Sequence, residues 1–255
     1  MKNKLFELVL FATFSSIILL LSLIPNIGFL TFLPGMSITI VHIPVLIGIM
    51  LLSFWYALGL GLVFGLGSLI ASFMYASNLG DIAFQNPLVS VLPRLIFAAV
   101  AFLIIYLLKK VQKTKHGILI NFIVISVVAS AFVMVGIIGL HLNTNWNLAL
   151  IISLGVLFLL VLIGGYSYFL FKSTHKQHAY VPSSMMASTL VHGFLVLTMM
   201  ALIKPAAFGE LNIFYFILTT IATNSIVEAV AAVLVGSPIV FALHSLKGEM
   251  EDATV

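Results

Sequence analysis

Arg94 is the residue whose chemistry most needs explaining. It stands in Ser90-Val91-Leu92-Pro93-Arg94, within a long apolar run. A guanidinium inside a bilayer is costly and needs a partner. Its planar fork suits a ligand carboxylate. Pairing with Glu228, or snorkelling to the outer interface, would serve equally. His42, in Ile40-Val41-His42-Ile43-Pro44, enters its own apolar run from the same side. Both residues lie about 9 Å along their helices at 1.5 Å per residue. An Arg and a His donor in one layer would suit an anionic ligand; a helix-packing histidine bonded to a carbonyl is the alternative for His42.

Glu228 follows Thr223-Asn224-Ser225-Ile226-Val227. Ser225 and Glu228 have capping-box spacing if a helix starts there. Otherwise Glu228 is a buried carboxylate facing Arg94, or a proton carrier. Asn224 is placed to face a cavity. Gln85, Asn86 and Tyr75 precede Arg94 near an outer loop; they would cap a ligand or serve only as loop polarity. His192 and Thr189 lie mid-run, where helix-to-helix hydrogen bonding is the expected role.

Motifs for catalysis are missing. No two histidines have HExxH spacing, and no nucleotide-binding or Ser-His-Asp pattern stands out. The chain has no cysteine, hence no thiolate metal ligand or thiol nucleophile. The stretch Gly59–Ser68 is glycine-rich but lacks the Lys-Ser/Thr of a phosphate loop. Small residues at four-residue spacing there, and at Ala12 and Ser16, fit close helix approach instead. The sequence thus predicts no catalytic residues, no metal and no cofactor.

These side chains must be positioned by membrane helices. Of 255 residues, 62% are apolar and 7% charged. Soluble domains carry about a quarter charged residues. The composition excludes a cytosolic globular enzyme, a disordered chain and a nucleic-acid reader. It predicts an all-α integral membrane protein, one transmembrane domain over 1–255. Eight spans are expected: about 5–24, 37–54, 57–76, 88–108, 117–140, 147–171, 183–203 and 212–235. Long unbroken apolar runs favour helices over barrel strands. Gly236-Ser237-Pro238 is expected to end or kink the last helix, with 239–247 along the interface.

The net charge of +4 orients the chain. With even parity, Lys2, Lys4, Lys109, Lys110, Lys113, Lys115, Lys172, Lys176 and Lys247 share one side, and Lys204 lies on the other. That bias predicts cytoplasmic termini. The N-terminal run is too long, and lacks the cleavage site, to be read as a signal peptide.

The segments Ile38–Gly48, Gly61–Ser68 and Asn86-Pro87-Leu88-Val89-Ser90-Val91-Leu92-Pro93-Arg94 resemble the substrate-binding S components of energy-coupling-factor (ECF) vitamin transporters, in the pantothenate and α-ribazole-like branch. Ser183–Met199 and Thr223–Ala232 match more weakly. The resemblance implies a six-helix core with a vitamin pocket near the outer face. It implies partners: a transmembrane coupling subunit and two cytoplasmic ATPases. It places the chain in the plasma membrane, with no enzymatic activity of its own. His42, Asn86, Arg94 and Asn224 become the substrate-binding residues; Ala12 and Ser16 become the docking face for the coupling subunit. Residues 117–171 depart from the family as an inserted helix pair. The rival is a stand-alone proton-coupled transporter of a small organic solute.

Overall fold

A computed structural model describes residues 2–30, 38–76, 79–143, 145–172, 178–205 and 213–243. The chain is an all-α membrane protein. Among the described residues, seven helices are long and apolar enough to cross a bilayer. They are contributed by α1 (Lys2–Leu23), α3 (Phe54–Tyr75), α5 and α6 together (Pro87–Ser90, Leu92–Gln112), α7 (Gly117–Asn143), α8 (Leu148–Lys172), α9 (Tyr180–Ile203) and a last helix. Their outward faces are apolar: Val127, Leu160 and Val161 are each more than 60% exposed. Only lipid makes such a surface tenable. Lys176 and Lys247, expected on the lysine-bearing side, lie outside the described residues.

The second expected span, 37–54, is the exception. Its helix, α2 (His42–Leu51), has 10 residues, and eight of them are buried. The preceding residues are extended. Phe29 and Leu30 (β1) pair antiparallel with Thr39 and Ile38 (β2). Pro44 explains the late start. A helical proline cannot donate to residue 40 and clashes with its carbonyl, so α2 cannot be continued further back. The β-branched run Ile38-Thr39-Ile40-Val41 also prefers extended backbone. The segment is therefore a broken span, extended at Ile38 and Thr39 and helical from His42 to Leu51.

The hairpin is brought back onto the bundle by the turn after α1. Asn26 takes a left-handed φ of 59°. A Cβ on Gly28 would lie 2.2 Å from the Leu21 carbonyl oxygen, so only glycine allows that approach. The Ile40 N–H then donates to the Gly28 carbonyl at 3.0 Å.

The glycines of α3 pack helices, as their spacing predicts. A Cβ on Gly61 would meet the Arg94 carbonyl oxygen at 2.7 Å, and one on Gly65 would meet Val91 Cα at 2.7 Å. Both point at the α5–α6 junction. Gly67 faces Ser22 of α1, and Gly59 faces Phe11.

The last helix departs from the capping-box expectation and takes the kink, not the end, of the two outcomes expected at Pro238. It runs from α10 (Ile213–Thr220) through a π-helical turn (Ile221–Ser225) into α11 (Ile226–Ala231). No helix starts at Ser225, and its side chain makes no cap bond, so the capping-box reading is corrected. A second π-helical turn, Ala232–Gly236, precedes Pro238, and helix continues over 237–243. The proline deforms the helix instead of ending it; a wider turn just before it relieves the clash.

Lys109 Nζ lies 5.7 Å from the centre of the Tyr180 ring. The end of α6 and the start of α9 therefore share one end of the bundle. The α7–α8 pair stands to one side. α7 packs against α6, α9 and α10, while α8 packs mainly on α7. Tyr166 of α8 reaches α9 through a 2.5 Å hydroxyl contact with Ser183.

Candidate functional site

The end opposite Lys109 and Tyr180 holds a cavity of about 300 Å³. Its walls come from the α1–α2 connection (Asn26, Phe29, Thr39), the end of α3, α4 (Leu79–Ala83) with the Phe84 that follows it, the start of α6, α9, and the last helix from Thr220 to Glu228. Of the residues expected to bind substrate, Arg94 and Asn224 line it; Glu228 lines it too.

Arg94 owes its place to two prolines. Pro87 opens α5, whose first turn Asn86 caps, and Pro93 lies in the first turn of α6. The short α5 ends at Val91, and the Arg94 Nη1 reaches back to donate to the Val89 carbonyl at 2.8 Å. The rings of Phe84 and Phe64 lie 4.8 and 5.4 Å from its Cζ. Such rings stabilise a cation where water is excluded. The group is only 3% exposed, and its Nε has no hydrogen-bond partner among the described residues. It is a buried cation with donor capacity left over.

Glu228 is turned elsewhere. Its Oε1 accepts the backbone N–H of Thr39 at 2.7 Å. Arg94 and Glu228 thus share a cavity while bonding to separate backbone groups. Each still feels the other's opposite charge across the cavity while its hydrogen bond goes to backbone.

Asn86 and His42 do not line the cavity. Asn86 Oδ1 accepts the Leu88 N–H at 2.9 Å, and its carbonyl accepts from the Ser90 hydroxyl. It is a cap, committed to the backbone because α5 needs one. His42 lies behind His192, with ring centres 5.6 Å apart and planes 13° from parallel.

His192 is the wall residue that sequence reasoning missed. Helix-to-helix hydrogen bonding was its expected role, yet neither ring nitrogen has a partner among the described residues. The ring is instead held by Phe97 at 4.9 Å and Phe64 at 5.4 Å. Thr189 also departs from that role: its hydroxyl donates to Met185 of its own helix at 2.9 Å. The signal for His192 was the next residue. A Cβ on Gly193 would lie 2.0 Å from Ser225 Oγ, so the glycine lets α9 approach the π-helical turn. That approach brings His192, Ser225 and Glu228 to one wall.

The rim is tied by hydrogen bonds. The Tyr75 hydroxyl donates to the Ser22 carbonyl, joining the ends of α3 and α1. Gln85 Nε2 donates to the Ser72 carbonyl at 3.1 Å. Tyr75 therefore lines the cavity, while Gln85 fastens the loop that carries Phe84. The expected docking residues Ala12 and Ser16 lie elsewhere, on the exposed face of α1.

The arrangement can hold a small molecule by an anionic group at Arg94. A hydroxyl or amide of that molecule could reach Glu228, Asn224 or His192. Comparison with models of known protein families and with curated protein sequences gives no match for this chain.

Proposed function

We propose that this chain is the substrate-binding S component of an ECF-type, ATP-driven vitamin uptake transporter, with pantothenate or a related vitamin precursor as ligand. The observation that carries the reading is the buried, incompletely bonded Arg94 in the wall of a closed-ended cavity. Its volume of about 300 Å³ is at the small end of ligand sites. A vitamin carboxylate would give the guanidinium the acceptor it lacks. The cavity lies at the end away from the lysine-bearing α6–α7 connection, which the charge bias puts in the cytoplasm. The ligand then enters from outside, and both termini lie on the cytoplasmic side of the plasma membrane. The chain binds and delivers its ligand without altering it. Its partners are a transmembrane coupling subunit, meeting α1 at Ala12 and Ser16, and two cytoplasmic ATPases.

A thermal-shift screen of detergent-purified protein against B vitamins and precursors tests this. A ligand at 100 times its Kd stabilises the folded state by about 2.7 kcal/mol. A strong hit that is lost in Arg94→Ala supports the reading and names the substrate. No hit from folded protein removes it.

Buried Glu228 favours one rival, proton-coupled transport by the chain alone. Uptake by proteoliposomes containing only this chain, abolished by an uncoupler and by Glu228→Gln, would establish the rival.

A further inference from the structure

His42, His192 and Glu228 come from α2, α9 and α11, far apart in sequence. The fold brings one ligand atom from each within 4.8 Å of the others. All three side chains are at least nine-tenths buried, with exposures of 0, 3 and 5%. Neither ring nitrogen of His192 has a hydrogen-bond partner among the described residues, and His42 has at most one marginal contact, to the Thr39 backbone. Buried ring nitrogens without a full set of partners are expensive in a bilayer interior unless something is bound there. From this geometry we infer that His42, His192 and Glu228 form a binding site for a divalent first-row transition-metal ion at the inner wall of the cavity.

Two imidazoles and a carboxylate are a borderline donor set. It suits Zn²⁺, Co²⁺, Ni²⁺, Fe²⁺ or Mn²⁺, and not the thiolate- and thioether-seeking Cu(I). Ligand atoms on one such ion lie about 3–3.5 Å apart for bonds near 2.1 Å. Small side-chain rotations bring the three from their present spacing to that one. Glu228 is already oriented by the Thr39 N–H at 2.7 Å, the kind of outer support that fixes a ligating carboxylate. His192 and Glu228 both face the cavity, so the remaining coordination positions open onto it.

Arg94 decides what fills them. With neutral histidines, the charges of Arg94 and Glu228 cancel, and a divalent ion leaves two positive charges uncompensated. A monoanion bridging the ion and Arg94 removes one of these charges, and a dianion removes both. Neither the ion nor its ligands depend on the vitamin reading.

The test is a titration of untagged, chelator-stripped full-length protein with Co²⁺ alone, followed by visible ligand-field absorption and by competition with Zn²⁺. The expected result is one equivalent of Co²⁺ with bands of low-symmetry N/O coordination, displaced by Zn²⁺. His192→Phe, which keeps the contacts with Phe64 and Phe97, and Glu228→Gln each weaken binding by about 100-fold or abolish it. The thermal transition of each variant checks that it is folded. Absence of a one-to-one site in the wild-type protein overturns the inference. So does binding that survives in both folded variants, because the ion then sits on other histidines. A failed vitamin screen alongside bound Co²⁺ removes the vitamin reading alone, and the converse removes the metal site alone.

Discussion

The carboxylate of Glu228 accepts the backbone N–H of Thr39 at 2.7 Å, across 189 positions of sequence. This bond fastens the extended half of a broken span to the last helix. In hydrocarbon, an extended segment cannot leave its N–H groups bare. Glu228 therefore holds the first wall of the cavity in place.

That role separates two substitutions. Glu228→Gln keeps an oxygen for the Thr39 N–H and should leave folding close to wild type. Glu228→Leu removes the acceptor and strands a buried donor, at a cost of about 1–3 kcal/mol. Thermal unfolding in one detergent is expected to rank them wild type, Gln, then Leu. Equal stability of the Gln and Leu variants would show that the bond does not hold the segment.

Gly65 sets the distance between α3 and the break ahead of Arg94. A Cβ there would meet Val91 Cα at 2.7 Å and the Ser90 carbonyl oxygen at 3.3 Å. Both are backbone, so the helices must part. Gly65→Ala is expected to destabilise by about 1–3 kcal/mol and to weaken ligand binding by moving Arg94. Gly164 is the control. Nothing lies within 4 Å of its added Cβ, and Gly164→Ala should be neutral or stabilise by up to about 1 kcal/mol. Paired unfolding curves check both.

Much of the fold could be read from hydropathy, because the bilayer demands long apolar helices and punishes anything else. Boundaries near Pro25 and Pro87 followed from local chemistry. The break in the second span was not read: Pro44 disfavours helix before about residue 41, but a hydropathy run treats Ile38–Val41 as one more apolar turn. The site was harder. Arg94 announced itself as an intramembrane charge. Asn86 reads as a ligand contact or as loop polarity; its role as the cap of α5 was missed because the same amide serves each. His192 gains its meaning from Gly193, His42 and Glu228, residues that no spacing rule connects. The π-helical turn that puts Asn224, Ser225 and Glu228 on the cavity side leaves no mark in composition.

Arg94 should be irreplaceable for an anionic ligand. Arg94→Lys keeps the charge but loses the fork, the Val89 bond and much of the contact with Phe84. Each charge-assisted hydrogen bond to a buried group contributes about 1.5–3 kcal/mol, or roughly 10–100-fold in affinity. Calorimetry with the screening hit is expected to give a loss of that size for Lys and a larger one for Ala. Full affinity in Arg94→Lys would mean that the ligand does not use the fork.

The exposed face of α1 gives a prediction that separates binding from transport. Ala12 and Ser16 are exposed, and the Ser16 hydroxyl donates to the Ala12 carbonyl at 2.9 Å, leaving a small, self-satisfied surface. Such a surface lets another helix come close. Neither residue touches the cavity. Ala12→Leu or Ser16→Leu puts bulk on that face without disturbing the core. Ligand affinity of the isolated chain should stay within about twofold, since exposed substitutions cost under about 0.5 kcal/mol. ATP-driven uptake by the assembled transporter should fall about tenfold or more if the face is central to the contact. Normal uptake with either leucine in place would move the coupling contact off this face of α1.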